Sequence, residues 1–521
     1  MRPAIDLKDK RVLVVGLART GIAVALFCSA YGAHVTAIDD RSAEQLGDLT
    51  RLIEEGIVLD LGGRHPEAFT EQDLIVISPG VPANLFELQL ARSRGIPVWS
   101  EIELAFRFFR GKLIAITGSN GKTTTTALVG HILESAGIST LVGGNIGTPL
   151  LARAEYSTDS TVTVAEVSSF QLEAIDQFRP EVGVLLNLTP DHLDRHETFK
   201  QYVAAKMRLF ENQTESDAAI LNADDLEVAK RAPARPKIYW FSRTKRVANG
   251  AYVRDGQIIL RDDGQEESVM RREEIPLRGE HNVENVMAGC LAAHLAGAQA
   301  SAIANGVRTF PGVEHRIEFA GSIRGVSFYN DSKATNVDAT LKAINAFDSP
   351  LHLILGGRDK GAPYAPLLDP LRQRARAVLL IGEAADKIAS ELGGEVPLKF
   401  AGTLDRAVPM AFDQARPGDV ILLAPACSSY DQFENYEQRG RAFKQLVAQL
   451  ARHVESQARH PQHFDDSGTG IAPRHPQDSA PAPASAPSTA PPSTAAPDTS
   501  STIDEQNPPK GRNAANTSTG S

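Results

Sequence analysis

Only three cysteines, Cys28, Cys290 and Cys427, occur in 521 residues, and they lie far apart. An odd, scattered set makes neither a disulfide framework nor a zinc pattern, and it suits a reducing compartment. A basic excess is missing too. The formal charge is −10, which argues against non-specific nucleic-acid binding through a cationic footprint. No apolar run is long enough to span a bilayer. The Ala-rich stretch 288–304 is interrupted by His294 and Gln299 and reads as a packed helix. No signal-peptide apolar core precedes the first strand pattern. A soluble, cytoplasmic protein without membrane or nucleic-acid partners is expected. Hydrophobic content of 42% is ordinary for a globular chain, and the length allows three domains.

What is present is alternation. R-V-L-V-V-G (11–16), a helix over 21–30, H-V-T-A-I-D-D (34–40) and L-I-V-I-S-P-G (74–80) fill residues 1–100. Residues 101–312 add T-V-T-V-A-E-V (161–167), V-G-V-L-L-N-L (182–188), a charged β-rich excursion near 236–276 and a long Ala-rich helix. Residues 313–455 contribute V-S-F-Y-N-D-S (326–332), L-H-L-I-L-G-G (351–357), A-V-L-L-I-G (377–382) and D-V-I-L-L-A-P-A (419–426). Strands alternating with helices predict parallel sheets covered on both faces. The expected fold class is α/β, with three successive Rossmann-like or P-loop domains at 1–100, 101–312 and 313–455. From 456 to 521 Ala, Pro, Ser and Thr dominate, with Phe464 the one aromatic. Such a tail buries too little apolar surface to offset its ordering entropy, so disorder is expected.

Leu113 to Thr126 reads L-I-A-I-T-G-S-N-G-K-T-T-T-T. A buried strand, a glycine turn, Lys-Thr and a helix together make a phosphate cradle. The longer loop pattern would place glycine at 116, where Ile stands, so the loop is G-x-x-G-K-T. Backbone from Gly118, Ser119, Asn120 and Gly121 would face phosphate oxygens, with Lys122 on the outer phosphates, Thr124 also on the nucleotide and the Thr123 hydroxyl on Mg²⁺.

The first turn, G-L-A-R-T-G (16–21), resembles a dinucleotide fingerprint with Ala18 at the middle glycine. Asp39 ends the next strand where a ribose-binding carboxylate would stand. An NAD site, another nucleotide-diphosphate site and plain βα packing all remain open here. Glu166 and His192 each follow a strand, on the same sheet edge as Lys122, where they can hold Mg²⁺ directly or through water. Lys206 lies on the apolar helical stripe of Phe199, Tyr202, Val203, Met207 and Phe210. Such a lysine either snorkels to solvent or sits in a confined site. Confinement favours the neutral amine, which reacts with CO₂ to give a carbamate that can hold Mg²⁺. Asn282 and Asn285 open the Ala-rich helix as caps or as ligands. Arg316, Asp331, Lys333, Lys360 and Ser429 gather in the third unit. Cations there would offset charge in phosphoryl transfer.

Taken together, T-G-S-N-G-K-T, G-G-N-I-G with Asn145, E-V-S-S-F-Q-L-E, N-L-T-P-D-H-L-D-R-H, A-A-K-M-R, G-E-H-N-V-E-N, H-R-I-E and N-D-S-K-A-T-N resemble the Mur ligase family of ATP-dependent amide-forming enzymes. The likeness covers about residues 10–447. The ending P-A-C-S-S-Y-D-Q-F-E-N-Y-E-Q-R-G looks like that of the D-glutamate-adding branch, and the D-N-P-R motif of the diaminopimelate-adding branch is absent. The resemblance implies ATP-driven addition of D-glutamate to UDP-N-acetylmuramoyl-L-alanine through an acyl phosphate, in peptidoglycan precursor synthesis, by a monomer. It implies two Mg²⁺ ions held by Thr123, Glu166, His192 and a carbamylated Lys206, with Lys122, Lys206 and His192 catalytic. It places Asn282, Asn285, Arg316, Asp331 and Lys333 on ATP. Asn145 would contact the muramoyl group, and Thr335, Lys360, Ser429 and Tyr436 would bind D-glutamate. Arg19, Thr20, Asp39, Asp40, Arg41, Ser78 and Gly80 would hold the UDP group. An amide ligase with another acceptor, such as a folate, and an NAD-dependent oxidoreductase or nucleotide-binding regulator are the alternatives. The latter two have no use for Lys206 on its stripe or for the 425–440 motif.

Overall fold

The computed structural model describes residues 5–459 apart from Arg64, Ile146 and Gly147. In the first unit β1 (Arg11–Val15), β2 (His34–Asp39), β3 (Val58–Leu61), β4 (Leu74–Ile77) and β5 (Val98–Ser100) form a parallel sheet in the order β3-β2-β1-β4-β5. Val12 to Val15 and all of β4 are buried, as strands covered on both faces require. Strand order reverses between β1 and β4. That reversal opens a crevice at their carboxyl ends. The half-exposed β3 and the three-residue β5 are too short and too mixed to stand out in the sequence.

The central unit holds β6 (Lys112–Thr117), β7 (Thr140–Gly144), β8 (Val162–Glu166), β9 (Val182–Leu185), β10 (Ala218–Asn222), β11 (Lys237–Ser242), β12 (Gly250–Arg254), β13 (Gln257–Asp262) and β14 (Gln265–Arg271). They make one nine-stranded sheet, β14-β13-β12-β11-β10-β9-β6-β8-β7. The charged excursion is its antiparallel end, β12 to β14. β6 runs between β8 and β9, so the glycine loop leaves the sheet where strand order reverses. The third unit carries β15 (Glu318–Ile323), β16 (Val326–Asn330), β17 (Leu351–Gly356), β18 (Ala375–Ile381), β19 (Leu398–Gly402) and β20 (Val420–Leu423), ordered β15-β16-β20-β17-β18-β19. Only its edge strand β15 runs antiparallel. The last helix, Tyr436–Arg459, continues past position 455, where the change of composition had set the start of the tail. The remainder of the expected disordered tail, 460–521, lies outside the described residues.

The cores divide unevenly. One apolar cluster runs from Leu7, Val12 and Phe27 in the first unit into Leu113, Phe178, Leu209 and Leu221 in the central one. The third unit has its own clusters, around Leu353 and Leu380 and around Ile421 and Phe443. Polar contacts reinforce the first joint. Glu103, in the helix Glu101–Phe108, is fully buried. Its Oε2 accepts the N–H groups of Asp176, Gln177 and Phe178 at 2.9, 3.0 and 2.7 Å, and its Oε1 pairs with Arg107 at 2.8 Å.

Glu101 stands at the same joint. Its Oε1 accepts the Leu151 N–H at 2.8 Å, while its buried Oε2 has no protein partner. Burial pushes this carboxyl up to about 7. The folded chain therefore favours the protonated acid. The group's contribution to stability is full below the usual glutamate range and is lost as pH rises through about 7. Glu101→Gln keeps an acceptor but cannot ionise. Its melting temperature should fall less than the parent's between about pH 5 and about pH 8. Equal falls in calorimetry would show that Glu101 is not the titrating group.

Candidate active site

The glycine loop after β6 is built for close approach. Gly118 and Gly121 sit at φ +151° and +87°, conformations that L side chains rarely adopt. A Cβ on Gly121 would lie 2.3 Å from Asn285 Oδ1. Neighbouring segments tie the loop down. Asn120 N–H donates to Asn187 Oδ1 at 2.8 Å, and Asn187 Nδ2 donates to Asn120 O at 3.0 Å. The Ser119 hydroxyl donates to Thr189 O at 2.9 Å and lies 2.9 Å from the Tyr202 hydroxyl. The helix Lys122–Ser135 starts at the loop, so its free N–H groups and dipole favour an anion there.

Two lysines meet on this loop. Lys122 Nζ donates to the carbonyls of Gly118 and Ser119, both at 2.9 Å. Lys206 Nζ donates to the same Gly118 carbonyl at 2.8 Å, lies 3.4 Å from Thr117 Oγ1 and sits over the Tyr202 ring. Lys206 is 2% exposed, so it does not snorkel to solvent. Burial, reinforced by Lys122, holds its amine well below the usual lysine range. Burial lowers Lys122 as well, against the pull of Glu166 and Asp191. Glu166 ends β8, paired in register with Ile116 of β6. Its Oε1 accepts from Asn145 Nδ2 at 2.9 Å, while its buried Oε2 has no protein partner. His192 takes φ +53°, strain that a functional edge commonly carries. Its ring meets Phe170 edge-on at 4.9 Å.

The crevice of the first unit is a cavity of about 750 Å³, lined by Arg19, Thr20, Asp40, Ser78 and Gly80 among others, with Asp39 and Arg41. Asp39 accepts from Leu17 N–H at 2.7 Å and from the Arg41 guanidinium at 2.9 Å. The Arg41 bonds hold its carboxyl down at about 2. Asn145 reaches this cavity from the central unit and Tyr430 from the third.

On the other side of the loop, Asn120, Gly121, His281, Asn285, Arg316 and Asp331 line a narrow cleft. Asn282 and Asn285 lie inside the helix Glu280–Ala296, whose N-cap is Gly279. Capping is therefore not their role. Asn285 donates to Asn282, and Asn282 to Arg278 O. Burial raises Asp331 to about 6 against the opposing pull of Arg316. It lowers Lys333 to about 8. Lys333 Nζ lies 3.3 Å from the Tyr436 hydroxyl, Lys360 Nζ 3.4 Å from Thr335 Oγ1, and Ser429 is buried nearby in sequence at 2% exposure. Glu314, His315 and Glu318 form the one carboxylate–imidazole cluster of metal-binding dimensions among the described residues. Lys444 already bridges its two carboxylates at 2.6 and 2.8 Å.

Several residues at the site escaped the sequence reading. Asn187 and Asp191 belong to N-L-T-P-D-H, on the ligand edge after β9, and that position was the available signal. Asp338 accepts from Asn120 of the glycine loop, and Asn336 Nδ2 lies 3.3 Å from Asp191 Oδ2. No local pattern distinguishes that aspartate from a helix-opening acid.

Comparison with known proteins matches all three units to one family. A model described as Mur ligase MurD-like, N-terminal domain, covers residues 10–100. The Mur ligase middle domain covers 116–293, and the Mur ligase, glutamate ligase domain, covers 315–427. A UDP-N-acetylmuramoylalanine–D-glutamate ligase of Acidobacterium capsulatum is 56% identical over 448 residues, 85% of this chain and 97% of that protein. Among solved structures, a pseudomurein peptide ligase type C from Methanothermus fervidus superposes with a TM-score of 0.55 at 21% identity, covering 85% of this chain and all of that one. MurF ligase from Thermotoga maritima in complex with ADP superposes with a TM-score of 0.54 at 16% identity, over 86% and 99%. With three consecutive family domains and more than half its aligned residues shared with such an enzyme, this chain belongs to the Mur ligase family, in the branch of the UDP-N-acetylmuramoylalanine–D-glutamate ligases.

Proposed function

We infer that the chain is an ATP-dependent ligase that joins D-glutamate to UDP-N-acetylmuramoyl-L-alanine in peptidoglycan precursor synthesis. The observation that carries this reading is the pair Lys122 and Lys206 on the Gly118 carbonyl of a glycine loop whose Asn120 and Gly121 line a narrow cleft. A carboxylate is a poor electrophile. Its phosphorylation by ATP gives an acyl phosphate, which the D-glutamate amine attacks, and phosphate leaves.

The residues have separable tasks. Asp39, Arg41, Ser78 and the Gly16 turn, with Arg19, Thr20, Asp40 and Gly80, hold the UDP end, and Asn145 holds the sugar–peptide end. The glycine loop, Lys122, Thr123 and Thr124 hold the triphosphate, and Asn282, Asn285, Arg316, Asp331 and Lys333 hold the rest of ATP. Lys122 stays beside the moving phosphoryl group, where its charge counts most in a site shielded from water. Thr335, Lys360, Ser429 and Tyr436 bind D-glutamate. The buried, unpartnered Glu166 Oε2 and the Thr123 hydroxyl fit Mg²⁺, a hard cation that favours oxygen. His192 and Lys206 would complete a second site. When bound, two Mg²⁺ ions supply charge neutralisation for the transferring phosphoryl group. The depressed Lys206 amine supports carbamylation, in which amine and CO₂ form an N–C bond and release one proton. A monomer is part of the same reading. Among the described residues no helix is long and apolar enough to cross a membrane, and a cytoplasmic location completes the reading.

Phosphate release should require ATP, Mg²⁺, UDP-N-acetylmuramoyl-L-alanine and D-glutamate together. Turnover with a different amino acid but none with D-glutamate would overturn the acceptor assignment.

Lys206→Ala should lower turnover on the order of 10²–10³-fold, with partial rescue by short carboxylic acids. Full activity in that variant, followed by coupled phosphate assay, would remove the carbamate.

A further inference from the structure

The cavity of the first unit borrows two residues, Asn145 and Tyr430. Tyr430 has no task in the mechanism above. It is 63% exposed, and its hydroxyl makes no hydrogen bond among the described residues. A large aromatic in that position adds little to any core. Yet the turn that carries it is firmly fixed. Ser428 and Arg358 exchange backbone hydrogen bonds at 2.9 and 3.1 Å. The Ser429 carbonyl accepts from Gln432 and Phe433 at 3.1 and 2.8 Å. Asp431 Oδ2 accepts the Glu383 N–H at 3.2 Å, and Arg439 Nη2 donates to Cys427 O at 3.2 Å. Tyr430 is thus the free tip of a rigid turn, held at the lip of a cavity that belongs mostly to another unit. A side chain ordered in advance loses little freedom when a ligand meets it.

The cavity has a direction. Asp39, Arg41 and the glycine turn mark its nucleotide end. Asn145, bonded to Glu166 beside the lysines, marks its reacting end. Tyr430 follows Ser429 in the chain, about 3.8 Å away between Cα atoms, so it enters from the amine-binding side. The part of the substrate between nucleotide and reacting carboxylate is the N-acetylated amino sugar with its lactyl–alanyl arm. Its apolar ring face and acetamide suit an aromatic ring with a polar tip.

We propose that Tyr430 packs against the amino-sugar portion of the nucleotide-linked substrate and is a positioning residue contributed by the third unit. This rests on the function inferred above. A seated sugar then completes a wall shared by the unit that holds the acyl donor and the unit that holds the amine.

The test is a set of KM values for Tyr430→Ala and Tyr430→Phe beside the parent. In Tyr430→Ala the KM for UDP-N-acetylmuramoyl-L-alanine should rise about tenfold, the equivalent of one good aromatic contact. The KM values for ATP and D-glutamate should stay within about twofold, and Tyr430→Phe should keep the sugar-nucleotide KM within about threefold. Inhibition by UDP alone should be equal in all three proteins. Parent turnover with an unchanged sugar-nucleotide KM in Tyr430→Ala overturns the contact alone, as does a rise confined to D-glutamate or an equal loss of UDP inhibition. A parent that does not turn over the sugar nucleotide sinks the underlying function and this contact with it.

Discussion

Two amines, Lys206 buried and Lys122 partly so, share one carbonyl oxygen, Gly118 O, and most of the site follows from that. Like charges brought onto one acceptor repel, the more strongly the less water lies between them. Burial adds a desolvation cost to each. A pocket of this kind is stable only with negative charge close by or with one amine neutral. The chain supplies Glu166 and Asp191 at the edge and leaves Lys206 depressed. The substrates would bring the rest as phosphate and carboxylate. Loop rigidity matters for the same reason. Asn187, Thr189 and Tyr202 hold the carbonyl in place, so neither lysine can relieve the repulsion by dragging the loop away.

Much of this was written plainly in the chain. The short apolar runs of β1, β4 and β6, each followed by turn residues, read as strands buried on both faces, and the glycine-Lys-Thr turn places the phosphate edge. Glu166 and His192 follow from the same geometry, because parallel strands end on one side. Local pattern could not settle Lys206. A lysine on an apolar stripe has two outcomes, and only the tertiary packing of Tyr202 and the loop carbonyls excludes solvent. Asn282 and Asn285 show the opposite ambiguity. Asparagine near a helix start suggests a cap, but Gly279 takes that place and moves both amides into the first turns.

Residues that act across units were the hardest to read. Asp338 is an ordinary acid at the opening of its helix, and Tyr430 an ordinary aromatic in a loop. Their significance depends on a surface far away in sequence. Composition is blind to that distance. The same applies to the cores. Three alternating stretches suggest three successive units, whereas the apolar clusters join the first two and leave the third separate.

That unequal division shows in how the units are held together. Glu103 with its three backbone donors and the continuous cluster from Leu7 to Leu221 join the first and central units through one core. The third unit touches the central one through a few polar and cation–π contacts, such as Asn336 to Asp191 and Arg278 over Tyr329. The site is thus walled by two units that share an apolar core and by a third that keeps its own. Among the described residues no apolar cluster spans that junction, so reactants seated there would meet walls backed by separate cores.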